Sequence, residues 1–105
     1  MTNAAEMNDP DLKLDNLYRR AGDLEVELQA LSRRDEAVLT AGQIGSVNAI
    51  LQEALELLPN SKALREDAEE IDEDTSPMDA YHMMHVTIVP TLHNALPEPL
   101  YRRHG

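Results

Sequence analysis

Leucine and smaller apolar residues recur in this chain at steps of three and four, in two separate stripes. The first comprises Leu14, Leu17, Ala21, Leu24, Leu28 and Leu31. The second comprises Ile44, Val47, Leu51, Ala54 and Leu58. Residues three and four apart share one face of an α-helix, so each stripe is a seam that must be covered by another helix. The spacing predicts an all-α fold. It is a small bundle of three to four helices, made of an antiparallel helical hairpin, a short acidic helix and an apolar C-terminal helix.

The chain has 105 residues, enough for one small domain with a thin core. Tyr18, Tyr81 and Tyr101 are its only aromatic residues apart from histidine. A core of Leu, Ile, Val, Met and Ala alone is harder to fill in a single copy. A homodimer is therefore expected, with Leu14, Leu17, Leu24, Leu28, Leu31, Met83 and Met84 at the interface.

Local signals set the helix limits. Residues 1–9 are polar and acidic and are expected to be disordered; residues 10–96 form the single helical domain; residues 97–105 form an extended tail. Pro10 suits a first helical turn and opens a helix running to about Arg34. Thr40 and Gln43 have the form of a capping box for a second helix ending before Pro59. Asn60 or Ser61 caps a third, predicted over Lys62 to about Asp72. Ser76-Pro77 followed by Asp79 starts a fourth. That last helix is apolar on most sides, and Pro90 should kink it. The β-branched run Val86-Thr87-Ile88-Val89 allows a short strand as the rival reading.

Composition narrows the function. Cysteine is absent, which removes disulfide and thiolate chemistry. The longest strongly apolar stretch, Met83 to Val89, is far too short to span a bilayer. A cytoplasmic protein without a membrane partner is expected. The net charge is −11, and residues 65–79 alone carry eight acids against one base. Such a surface repels nucleic acid and anionic lipid, so direct nucleic-acid binding is not expected despite the pairs Arg19-Arg20, Arg33-Arg34 and Arg102-Arg103.

The densest candidate site is the acidic run Glu66, Asp67, Glu69, Glu70, Asp72, Glu73 and Asp74. On a helix, Glu66, Glu69, Glu70 and Glu73 share a face. They would serve a basic protein surface or a divalent cation, or they would simply solvate the helix. Histidine clusters at His82, His85 and His93, with Asp79 one turn before His82. Two histidines three apart can chelate a metal, and a carboxylate one turn away can orient one of them. The plainer reading is a set of half-exposed histidines at a helix interface. Met78, Met83 and Met84 fill a core or offer an adaptable surface. No nucleophile elbow or glycine-rich phosphate loop occurs.

Two stretches resemble known families. Glu66, Glu69 and Glu70 followed by Asp79-Ala80-Tyr81-His82 resembles the pattern of all-α nucleotide pyrophosphohydrolases, although the acidic helix here directly adjoins the Asp79 helix. The resemblance implies magnesium held by carboxylates on adjacent helices. Ala54-Leu55-Glu56-Leu57-Leu58-Pro59-Asn60 resembles the end of a tetratricopeptide helix. The leading expectation is a small acidic, non-enzymatic interaction module, acting as an adaptor, regulator or inhibitor, that binds a basic protein through residues 66–74 without a cofactor. The alternatives are a divalent-metal-dependent all-α hydrolase of a phosphorylated small molecule and a histidine-based metal-responsive regulator.

Overall fold

The computed structural model describes residues 10–96; the proposed lead-in 1–9 and tail 97–105 lie outside them. Among the described residues the chain is all-helical, with no strand. Helix α1 spans Pro10–Ser32, α2 Ala41–Leu57, and the short α3 Lys62–Glu66. A longer helical stretch follows in three parts: α4 (Pro77–Met83), a π-helical turn (Met84–Ile88) and α5 (Val89–Ala95). No helix among them is long and apolar enough to cross a membrane.

The caps form where the local sequence places them. Thr40 Oγ1 accepts from the Gln43 N–H at 3.1 Å, and Gln43 Oε1 accepts from the Thr40 N–H at 2.9 Å. This reciprocal pair satisfies two donors that a helix start otherwise leaves orphaned. Ser61 and Ser76 cap α3 and α4 through their hydroxyls. Between α1 and α2 the chain turns with Glu36 in the left-handed region, at φ 59°.

Helix α1 is the spine. Glu27 accepts from Gln43, and Arg20 pairs with Glu53, so rising numbers on α1 meet falling numbers reversed along α2. On its other side Gln29 meets Tyr81, Glu25 meets His85 and Tyr18 meets His93, again in opposite order. The first stripe thus has helices on both flanks. Leu17, Ala21 and Leu28 have no exposed surface, while Leu14 and Leu24 are buried at 6% and 8%. They share one core with Val47, Leu51, Ala54, Leu64, Met84, Ile88 and Leu92. Leu31 and Met83 are partly buried against it. Leu14, Leu17, Leu24, Leu28 and Met84, expected between two copies, are buried within one chain.

Two local expectations give way. Helix α3 stops at Glu66 rather than near Asp72, so the acidic run does not form a helical face. Seven like charges in nine residues oppose a helix, and the segment finds its bonds elsewhere. At the C-terminal stretch the helix runs on past Pro90, with a π-helical turn before it of the kind at which helices kink. Its ladder shifts register just before it, with the Val89 N–H donating to the Met84 carbonyl five residues back. Proline has no N–H and clashes with the carbonyl four residues earlier, so an ordinary ladder cannot run through it. One widened turn accommodates that change and keeps Met84 and Ile88 in the core. The run 86–89 is therefore helical, and the strand reading is set aside.

Candidate functional site: an acidic cleft

Residues 67–76 leave α3 and cross back to α4 without regular structure. Their position depends on a clasp from α2. Asn48 Oδ1 accepts from the Ile71 N–H at 2.8 Å, and Asn48 Nδ2 donates to the Ile71 carbonyl at 2.9 Å. One amide side chain thus satisfies both backbone groups of a residue whose side chain is buried at 9% exposure. Gln52, one turn further along α2, donates to Glu70 at 2.8 Å. From the other side the Glu69 N–H donates to Met83 Sδ at 3.4 Å. Beyond Ile71 the chain folds into a local turn, in which Asp72 Oδ1 accepts from the Asp74 N–H and Thr75 Oγ1 from the Asp72 N–H. Asp and Thr favour such turns because their short side chains reach backbone groups two or three residues away.

This strap and the outer side of α4 enclose an open cleft of about 620 Å³. Asp67, Glu69, Glu70, Asp72 and Asp74 line it from the strap, and Asp79 and His82 from α4. The apolar part of the lining is Ile71, Met83 and Val86, with Thr87 beside them. Val86 is 53% exposed, so the cleft presents some apolar surface to solvent. Glu73 faces the other way, toward Ala41 and Ile44, and Glu66 lies exposed on α3. Five of the seven expected acids are therefore brought together, with Asp79 and His82, around one concavity.

The histidines are not gathered. His85 Nδ1 lies 2.9 Å from Glu25 Oε2, and its ring stacks on Tyr81 with centroids 5.2 Å apart. His93 packs against the Tyr18 ring at 5.6 Å. His82 alone of the three lines the cleft. Among the described residues no three His, Asp or Glu side chains are placed to hold one metal ion. The pyrophosphohydrolase-like pattern needs its paired glutamates on a helix, and Glu69 and Glu70 lie beyond the end of α3.

A larger groove, about 750 Å³, runs between α1 and α2 past Leu12, Lys13, Arg20, Glu53 and Leu57. Its central charges satisfy each other. Arg20 forms a two-pronged pair with Glu53, one contact at 3.0 Å, and also donates to Asn16. The hydrogen bond from Arg20 holds the Glu53 carboxyl below its ordinary range, partial burial works against it, and Coulomb attraction adds to it. Arg20 is raised by the same bond. With its charges already matched, the groove has less to offer a polar ligand than the cleft.

Sequence reasoning missed Asn48, Gln52 and Thr87. The first two are uncharged polar residues among the several polar positions of α2, and nothing local sets them apart. Thr87 was hidden in a β-branched run. The fold and site define an acidic protein, all-helical among the described residues, with a carboxylate-rich cleft. Compared with protein-family models, curated proteins and solved structures, the chain matches none of them.

Proposed function

We propose that this chain is a small non-enzymatic interaction module, an adaptor, regulator or inhibitor, that receives a basic protein segment in the acidic cleft. The observation that carries this reading is the gathering of Asp67, Glu69, Glu70, Asp72, Asp74 and Asp79 around one open, partly apolar concavity. Carboxylates this close raise the local concentration of cationic ligands and disfavour anionic ones such as nucleic acid. The apolar lining adds contact area that pure charge does not supply. With the leucine seam buried within the chain, the reading needs no second copy.

The test pairs capture with a salt titration. Wild type is used as bait in host lysate beside a variant with Glu66, Asp67, Glu69, Glu70, Asp72, Glu73 and Asp74 changed to Gln or Asn. Amide replacements keep the acceptor oxygen that Asp72 offers its own turn. The reading expects a basic protein held by wild type, lost by the variant, and released from the purified complex as salt rises. A partner held equally by both proteins, with no salt dependence, refutes it.

A further inference from the structure

Among the described residues Thr87 is the one buried polar residue, at 9% exposure, and it lines the acidic cleft. Its hydroxyl has no hydrogen-bond partner among the described residues. No side-chain nitrogen or oxygen among them is both sealed from solvent and unpartnered, so this hydroxyl keeps some exposure, on a residue that lines the cleft. A threonine in a helix ordinarily turns its hydroxyl back to a carbonyl three or four residues earlier. Here, in the π-helical turn, it does not. The fold gains nothing from a hydroxyl at this place, since valine would fill the same space without a polar atom to satisfy.

We propose that the cleft takes one lysine or arginine side chain of the basic partner, its aliphatic stem on Met83 and Val86 and its cationic head donating to the Thr87 hydroxyl. This rests on the functional reading above and makes it specific. Lysine and arginine carry an apolar stem and a charged head, and long cationic side chains lie along apolar surface while keeping the head among polar partners. The exposed Val86 and the partly buried Met83 provide the first surface. The carboxylates lining the same cleft supply its counter-charge. Ammonium and guanidinium groups only donate, and a hydroxyl and carboxylates all accept, so every contact has the right sense.

The experiment titrates the full chain, ¹⁵N-labelled, with three pentapeptides followed by NMR: acetyl-Gly-Ser-Lys-Gly-Ser-amide, its arginine counterpart and its norleucine counterpart. The proposal expects the lysine or arginine peptide to shift the amides of Val86 and Thr87, and the stronger of the two identifies the residue taken. Norleucine, a stem without a charge, should bind at least tenfold more weakly. Thr87→Val should weaken the cationic peptide about tenfold, the usual size of a hydrogen bond to a charged group. Thr87→Ser, which keeps the hydroxyl, should bind nearly as wild type. Equal binding by Thr87→Val and wild type, or equal binding of norleucine, overturns the proposal. If Thr87→Val is neutral while Asp72→Asn with Asp79→Asn abolishes binding, the acidic reading stands and only the pocket fails. If neither set of variants changes binding, both fail. Melting curves show that each variant is folded.

Discussion

The clasp between Asn48 and Ile71 offers the sharpest perturbation of the cleft from a distance. Replacing Asn48 by Ala removes two hydrogen bonds, at 2.8 and 2.9 Å. A typical intramolecular hydrogen bond contributes about 1 kcal/mol net, so the loss is about 2 kcal/mol. Alanine is the better helix former, which returns about 0.5 kcal/mol within α2. The strap can rehydrate, because Glu70 and Asp72 on either side of Ile71 are exposed; the full penalty of orphaned backbone groups therefore does not apply. The expected net loss is about 1.5 kcal/mol, which for a domain this small lowers the melting temperature by roughly 6–12 °C. Urea denaturation followed by circular dichroism measures it, and hydrogen exchange at the Ile71 amide reports the clasp directly.

Asn48→Asp separates the clasp from mere size. Aspartate keeps the oxygen that accepts from the Ile71 N–H, but sets a second oxygen against the Ile71 carbonyl. It also adds a negative charge beside Glu70 and Asp72. It should cost more than alanine at neutral pH and recover below about pH 4, where a protonated carboxyl donates again. A loss under about 0.5 kcal/mol for Asn48→Ala with unchanged exchange at Ile71 would refute the reasoning, given that two net bonds are at stake. So would an aspartate tolerated at neutral pH as well as asparagine.

Three further outcomes follow from the packing. Leu28 has no exposed surface where α1 meets its neighbours, and Leu28→Ala should cost about 3 kcal/mol by urea denaturation, from lost burial plus the cavity left behind. Thr40→Ala breaks the capping box and should cost about 1 kcal/mol, with faster hydrogen exchange confined to the first turn of α2. The Glu53 carboxyl is held below its ordinary value of 4.5 by Arg20, so its contribution is present above that value and fades as the pH falls through the lowered folded one. Both partners are over two-fifths exposed, which limits the pair to about 0.5 kcal/mol. The stability difference between wild type and Glu53→Gln should therefore shrink from pH 7 to pH 3 in parallel denaturant melts.

What could be read in advance was local. The leucine seam at steps of three and four, the Thr40–Gln43 box and the Ser76-Pro77 start each depend on residues within one or two turns, and each is present as expected. The site was legible as composition but not as shape. Where α3 ends is decided in part by Asn48, 23 residues from Ile71, whose amide offers that strand of chain both of its bonds outside a helix. Proline 90 announced a disturbance but not its form. The form it takes is a π-helical turn, a choice that keeps Met84, Ile88 and Leu92 on the same core. The surroundings of Thr87 depend on that choice, so its role could not be read from the β-branched run around it.

The chain divides its stability unevenly between two kinds of bond. The core is leucine, isoleucine and methionine packed around α1, and opening it exposes all of that surface at once. The strap carrying the acids is held by few groups: one asparagine, one glutamine, one thioether contact and the buried Ile71. Its charges repel one another while it is held. Segments with few apolar contacts and solvent-facing hydrogen bonds open at well below the global cost. On the proposed function, a cationic occupant relieves the repulsion where the carboxylates converge, and so stabilises the strap by mass action. Charge, clasp and cleft are then one device. On that reading the acids that weaken the strap in isolation are the same groups that steady it against a basic side chain.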